Sequence, residues 1–376
     1  MSDMAEDTQP AGSNPADAIA SQPPIIARHD HESLIAQPST FLLPRGKLIE
    51  MQVQPEKPMT AQDKDQQQGL KSIRDFLKRR TSYDVLPLSF RLIILNTDLL
   101  VKKSLTILLQ NGIVSAPLWD SHTSTFAGLL TTSDYINVIQ YYWQNPEALN
   151  QIDQFKLSSL RDIEKAIGVL PLETISVHPT RPLYEACREM LQTRARRIPL
   201  VDIDDETGRE MVVSVITQYR ILKFIAVNVS ETEKLRKSVL EIGLGTYRDL
   251  HTASMDTPVI DVIHLMVKYS ISSVPIVDTE SRVLNVFEGV DVITIIKGGV
   301  YDGLTTTVGE ALSNRPEDFP GIYTCSEEDR LDSLFDTIRK SRVHRLVVLD
   351  EENRLKGVIS LSDILQYVLL EGEVDD

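Results

Sequence analysis

The 376-residue chain is 42% hydrophobic and 25% charged, with a formal net charge of −15 at pH 7. That balance fits a soluble globular protein and argues against a nucleic-acid surface. Two cysteines, Cys187 and Cys325, are too few for a disulfide scaffold or a cysteine metal site. No apolar run approaches the ~18 residues that span a bilayer, and the N-terminus lacks a signal-peptide pattern, so a soluble protein of a reducing, intracellular compartment is expected.

Residues 1–69 read as a disordered tail, because Gln, Pro, Ser, Ala and Asp dominate and no hydrophobic period is sustained. Order is expected from Gly69, where Leu70, Ile73, Phe76 and Leu77 share one helical face. Beyond it, one plan recurs. Amphipathic stripes over Leu105 and Leu108, Leu183 to Leu191, Val262 to Val267 and Leu331 to Ile338 each precede an apolar run. Those runs are Val114-Ser-Ala-Pro-Leu-Trp-Asp120, Arg197-Ile-Pro-Leu-Val-Asp202, Ser273-Val-Pro-Ile-Val-Asp278 and Arg345-Leu-Val-Val-Leu-Asp350. Pro117, Pro199 and Pro275 fall at equivalent places, expected at strand starts.

Each run is followed by a closing phrase: Gly128-Leu-Leu-Thr-Thr-Ser-Asp134, Val213-Ser-Val-Ile-Thr-Gln-Tyr-Arg220, Val286-Phe-Glu-Gly-Val-Asp291 and Gly357-Val-Ile-Ser-Leu-Ser-Asp363. Their last residues lie 86, 71 and 72 positions apart, the mark of an internal repeat. In the last copy Ser360 fits a helix N-cap and Asp363 the third-residue carboxylate of a capping box. A helix start offers free N–H groups and a positive dipole end, which suit anions. The pattern predicts four β-α-β-β-α units, at 70–145, 158–228, 243–300 and 305–376. A unit of ~60 residues buries little core, so the units should pack in pairs.

These residues resemble cystathionine-β-synthase (CBS) repeats, and four of them resemble the γ subunits of AMP-activated protein kinase, whose fungal version belongs to the sucrose-non-fermenting kinase complex. Asn111-Gly-Ile-Val-Ser-Ala-Pro-Leu-Trp-Asp120, Ile221-Leu-Lys-Phe224, Ile242-Gly-Leu-Gly-Thr-Tyr247 and Val343-His-Arg-Leu-Val-Val-Leu-Asp350 carry the likeness. The resemblance implies an α+β fold, with repeats paired into two Bateman modules in a flat disk. It also implies a non-catalytic subunit that binds AMP, ADP or ATP. A kinase catalytic α subunit and a β scaffold would be its partners, and the cytoplasm and nucleus its location. By the same resemblance Asp134, Asp291 and Asp363 hold ribose hydroxyls, whereas Arg197, Arg315, His344 and Arg345 gather at phosphates. Thr246, Ser272, Ser360 and Ser362 match polar lining positions, and Arg194 adds to the basic run that ends at Arg197.

The chemistry suits these types, since a carboxylate accepts from a cis-diol and a guanidinium forks onto phosphate oxygens. Departures rank the clefts. Val114 stands where an arginine is common, Glu288 brings negative charge to its helix cap, and Arg220 replaces the carboxylate and only donates. Asp363 should therefore mark the tightest cleft, and the Arg220 cleft should stay empty. No phosphate loop, dinucleotide loop or zinc-protease motif appears, which leaves no basis for a catalyst or a metal site. The alternative is a free-standing CBS protein that regulates another enzyme or transporter through adenosine ligands.

Overall fold

The computed structural model describes residues 59–89, 91–147, 154–169, 174–297, 302–317 and 319–373. The tail expected over 1–69 lies outside these up to residue 58, but its last part is ordered. Helix α1 spans Ala61–Arg79, and Thr60 caps it by accepting from the Asp63 N–H at 3.1 Å while Asp63 accepts from the Thr60 N–H at 2.9 Å. The Thr-x-x-Asp signal, hidden among glutamines, starts the helix well before Gly69.

The first repeat runs β1 (Leu95–Asn96), α2 (Val101–Asn111), β2 (Ser115–Asp120), β3 (Thr125–Thr131) and α3 (Thr132–Gln144), followed by a short α4 (Leu160–Ala166). The second has α5 (Leu183–Gln192), β4 (Arg197–Ile203), β5 (Glu210–Thr217) and α6 (Gln218–Asn228). The third has α7 (Val259–Tyr269), β6 (Ser273–Val277), β7 (Val283–Glu288) and α8 (Gly289–Ile295), with α9 (Val308–Ser313) behind it. The fourth has β8 (Thr324–Cys325), α10 (Leu331–Lys340), β9 (Arg345–Leu349), β10 (Leu355–Ser360) and α11 (Leu361–Leu370).

In each repeat the two longer strands pair antiparallel, and a parallel partner of one or two residues completes the sheet: β1, Val177, Ala253 or β8. The β-α-β-β-α plan thus holds in all four. The prolines sit third in β2, β4 and β6 rather than at the strand start. Where the parallel partner docks, the proline supplies only its carbonyl. Val177 N–H donates to Pro199 O and Ala253 N–H to Pro275 O, both at 3.1 Å, so the missing N–H is never required.

Sheets associate between sequence neighbours. In the first pair the Phe126 N–H donates to Glu210 Oε2 at 2.7 Å. In the second pair Val283 N–H donates to Asn353 O and Leu355 N–H to Ser281 O, each at 3.0 Å. Hydrophobic packing runs the other way. One core joins Leu183, Ile198 and Ile225 of the second repeat to Leu334, Leu346 and Ile364 of the fourth. The other joins Leu105, Leu118 and Tyr135 of the first to Ile263, Ile276 and Phe287 of the third. Helix α1 seals the former with Leu70, Ile73 and Leu77. Its Arg74 also donates to Glu371 O at 2.8 Å, satisfying a carbonyl at the end of α11.

Candidate functional site

The closing phrases put four helix N-termini, those of α3, α6, α8 and α11, directly after a strand, and the cap chemistry of each decides what its cleft can offer. At α11, Asp363 Oδ2 accepts from the Ser360 N–H at 2.7 Å and from Ser360 Oγ at 2.8 Å, and Ser360 Oγ accepts back from the Asp363 N–H at 3.3 Å. Asp363 is half-buried, and among the described residues no cation is paired with it. The hydrogen bonds that the cap gives its carboxylate all fall on Oδ2. Beside it, Thr246 and Val358 exchange backbone hydrogen bonds of 2.9 Å in each direction. That close approach explains two glycines. At Gly357 a Cβ would stand 2.8 Å from the Tyr247 ring and 2.9 Å from Thr246 O. Gly245 has φ +107° and lies equally close to Ile359.

The other two carboxylates are occupied. Asp291 accepts the Glu288 N–H at 2.7 Å and also two bonds from Arg315, Nε to Oδ1 at 2.8 Å and Nη2 to Oδ2 at 2.6 Å. Arg315, expected among phosphate contacts, is therefore turned onto the carboxylate of the third repeat. Asp134 accepts from the Thr131 N–H at 2.6 Å and Oγ1 at 2.8 Å, with Arg161 Nη1 3.8 Å from its Oδ1. Arg161 lies closer to Glu164, at 2.8 Å, so two buried carboxylates share one guanidinium. Burial pushes the Asp134 carboxyl up to about 6; Arg161 opposes the shift and Glu164 adds to it. At α6, Thr217 caps by accepting from the Arg220 N–H at 3.2 Å, and the Arg220 guanidinium donates to Val215 O at 3.4 Å.

A basic cluster forms where the starts of β4 and β9 meet. Arg345 Nε lies 2.8 Å from Glu288 Oε1, an ion pair whose N–H is not aimed at the oxygen, and Nη1 donates to Ser272 Oγ at 3.4 Å. The fourth repeat thus reaches into the third through both expected residues. Burial lowers the pKa of Arg345 against the pull of Glu288, and it lowers that of Arg197, with Arg342 adding to the effect. Arg196 keeps an exposed side chain, yet crowding by surrounding groups and the charges of Arg345 and Arg197 bring it down to about 10. For His344, burial lowers the pKa, Glu288 opposes, and Arg345, Arg342 and Arg197 lower it further. Five arginines (196, 197, 220, 342 and 345) therefore repel one another in this region, and Glu288 pairs with one of them, Arg345. Cations held together at such a cost are stabilised by an incoming polyanion. A cleft lined by Glu288, Tyr323, Arg342, His344 and Arg345 opens from this cluster along Phe319 to Ile322.

Two expected residues have other local settings. Arg194 is exposed and left-handed (φ 56°) just past α5. Ser362 Oγ donates to Gln218 Oε1 at 3.0 Å, stitching α11 to α6. Sequence reasoning took Arg196 only as part of the run from Arg194 to Arg197, and it missed Arg342 and Arg161. Arg196 and Arg342 flank residues it did single out.

Comparison with known proteins fits this arrangement. The CBS domain family matches residues 170–227, 244–298 and 317–370. The chain is 56% identical over 306 residues to the 5′-AMP-activated protein kinase subunit gamma of Kluyveromyces lactis, covering 81% of this chain and 93% of that one. The Saccharomyces cerevisiae subunit of the same name is also 56% identical over 306 residues, at 81% and 95% coverage. The chain belongs to the γ-subunit family of 5′-AMP-activated protein kinase. A more distant γ-family relative is the human gamma-3 subunit, 33% identical over 299 residues, of which the match covers 60%. A solved protein of Methanocaldococcus jannaschii has the same fold, with a TM-score of 0.58 at 17% identity, over 77% of this chain and 99% of that one. Among the described residues no helix is long and apolar enough to cross a membrane.

Proposed function

We propose that this γ-family chain is a non-catalytic regulatory subunit that senses AMP, ADP or ATP within a heterotrimeric protein kinase. A catalytic α subunit and a β scaffold are its partners, and the complex works in the cytoplasm and nucleus. One observation carries the reading: Asp363, a carboxylate at a helix N-terminus with no cation paired to it among the described residues, lies in the same repeat as Arg342 and Arg345, two members of a self-repelling cluster of arginines. The carboxylate suits a ribose diol, which donates, and the cluster suits phosphates, which only accept. Ser360 and Thr246 complete the sugar side, and Arg345, His344, Arg197 and Arg196 the phosphate side.

The cluster also suggests how binding is read out. Arg345 belongs to the fourth repeat and Arg197 to the second, whereas Glu288 and Ser272 belong to the third. A phosphate that takes Arg345 from Glu288 changes a contact between repeats, and only such differential contacts shift an equilibrium.

The test is affinity purification of the full chain followed by AMP calorimetry on what is recovered. The expected result is a kinase subunit and a scaffold in the complex, with an AMP-binding step. An Arg345→Ala complex should lose on the order of 10- to 100-fold in affinity, the worth of one charge-assisted hydrogen bond to phosphate. Recovery without a kinase would favour a free-standing regulator. AMP affinity within twofold in the variant would overturn the phosphate assignment.

A further inference from the structure

We propose that Ser341 is a phosphorylation site whose phosphoryl group settles among the basic side chains of the arginine cluster and competes there with nucleotide; the competition rests on the nucleotide reading above. Ser341 stands in the run Arg339-Lys340-Ser341-Arg342, one hydroxyl among three basic residues. The enzyme this run fits is a serine/threonine kinase that selects basic residues on both sides of its acceptor. The backbone suits such an enzyme as well. Ser341 follows α10 in an extended conformation (φ −132°, ψ 157°) and opens the irregular stretch that leads into β9. Lys340, Arg342 and His344 are exposed, and Ser341 itself is half-buried. Its N–H donates to Thr337 O at 2.9 Å and its carbonyl accepts from Tyr219 Oη at 3.3 Å, whereas its Oγ holds no partner among the described residues. Two other hydroxyls follow basic pairs, and both are set differently. Ser82, after Arg79-Arg80-Thr81, is 0% exposed, and its N–H is tied to Arg181 O at 2.9 Å. Ser238, after Arg236-Lys237, exchanges bonds with Glu241, whose Oε2 accepts from the Ser238 N–H at 2.7 Å, so a phosphate there would meet a carboxylate.

In the transfer, the Ser341 hydroxyl oxygen bonds to the γ-phosphorus of ATP as the β–γ bridging P–O bond breaks. The hydroxyl proton passes to the kinase's base, and ADP leaves. The surroundings decide what the new group does. Tyr219, whose hydroxyl donates to the Ser341 carbonyl, also accepts from Lys223 Nζ at 3.3 Å, and its ring lies 6.3 Å from the His344 ring. Arg342 is the next residue along, and its charge is felt by Arg197, Arg220 and His344. Lys223 donates to Tyr219 and Arg220 to Val215 O, and neither they nor Arg342 pair with an acid among the described residues. A phosphoserine carries about −1.5 to −2 charges and three acceptor oxygens, which this cluster otherwise takes from a ligand. The C-terminal end of α10 opposes an anion with only roughly half an elementary charge, less than the full cations around it supply. Arg342 and His344 also line the cleft beside Arg345, so a phosphoryl group held by them draws on the same charges as a nucleotide phosphate.

The experiment has two arms, both on the full chain. In the first, parent and Ser341→Ala proteins are treated with ATP and a purified basophilic serine/threonine kinase, and the products are mapped by mass spectrometry. Phosphate on Ser341 of the parent, absent from the variant, is expected; no phosphate at 341 overturns the acceptor assignment. In the second, a chain carrying genetically encoded phosphoserine at 341 is compared with the parent by AMP calorimetry and thermal melting. AMP affinity is expected to fall on the order of tenfold, the worth of one charge-assisted bond lost to the competitor, and the difference should shrink as salt is raised. Without ligand the phosphorylated chain should melt higher, and Arg342→Gln combined with Lys223→Gln should remove that gain. Ser341→Ala should bind AMP as the parent does. Unchanged AMP affinity overturns the competition, and an unchanged or lower melting temperature overturns the docking on the cluster. If the parent itself binds no AMP, the nucleotide reading falls, and the melting temperatures still decide whether the phosphoryl group docks.

Discussion

Replacing Asp363 by Asn separates its two tasks. As a cap it accepts through Oδ2 from the Ser360 N–H and Oγ, at 2.7 and 2.8 Å. An amide oxygen can keep accepting there, so the helix start survives. What Asn cannot keep is the second oxygen, which becomes an NH2 that donates where a ribose hydroxyl also needs to donate. One charge-assisted bond is worth roughly 1.5–3 kcal/mol, so losing one, with the amide now opposed to the hydroxyl, should weaken AMP binding about 10- to 150-fold. Calorimetry on the folded variant measures this directly. A deoxyribose analogue of AMP supplies a control. It should bind the parent as poorly as AMP binds Asp363→Asn, and the variant should not distinguish the two ligands. Equal AMP affinity in parent and variant would refute the ribose role, and a melting temperature several degrees lower would show that the cap had been lost instead.

Two further outcomes follow. Gly357→Ala places a Cβ 2.8 Å from the Tyr247 ring and 2.9 Å from Thr246 O, and the Thr246–Val358 bridge must shift; overpacking of this kind costs about 1–3 kcal/mol, and an unchanged denaturant midpoint would refute the close approach. Asp134, 4% exposed, has its folded pKa raised from 3.8 to about 6, so its own contribution to stability is greatest below pH 4 and is lost as pH rises through 6. Asp134→Asn should therefore melt higher than the parent at pH 7.5, by on the order of 1–3 kcal/mol in stability, with the difference closing between pH 6 and pH 4; a constant difference across that range would contradict the assignment.

The repeat plan was legible because it rests on local signals. Stripe period, alternating strand runs and the Ser-x-x-Asp cap each act within a few residues, and capping boxes formed at Thr131, Glu288 and Ser360 alike. The start of α1 shows the same logic overlooked, since Thr60 and Asp63 carry the signal but no hydrophobic stripe announces it. What was not legible is long-range. Arg315 has the right chemistry for phosphate, and only the fold brings it within 2.8 Å of Asp291, 24 residues back along the chain. Ser362 has the right chemistry for a lining hydroxyl, and only the fold shows that its proton goes to Gln218, 144 residues away. The cores escaped for a similar reason. A helix stripe shows that one face is buried, but not that the second repeat's faces meet the fourth's.

That cross-pairing of cores bears on how a subunit without a catalytic site could transmit occupancy. Sheets join first to second and third to fourth, whereas hydrophobic helices join second to fourth and first to third. Every repeat is therefore held by two different neighbours through two different kinds of contact. The Asp363 cleft touches both kinds. Ser362 reaches α6 of the second repeat, and Arg345 reaches Glu288 and Ser272 of the third. Polar contacts between sheets can be exchanged for ligand contacts at modest cost, because both partners find new hydrogen bonds. The packed cores cannot deform continuously in the same way. A nucleotide that takes Arg345 from Glu288 would then move the third and fourth repeats relative to each other at the sheet seam. The 2/4 and 1/3 cores would carry that displacement to the second and first repeats as rigid units.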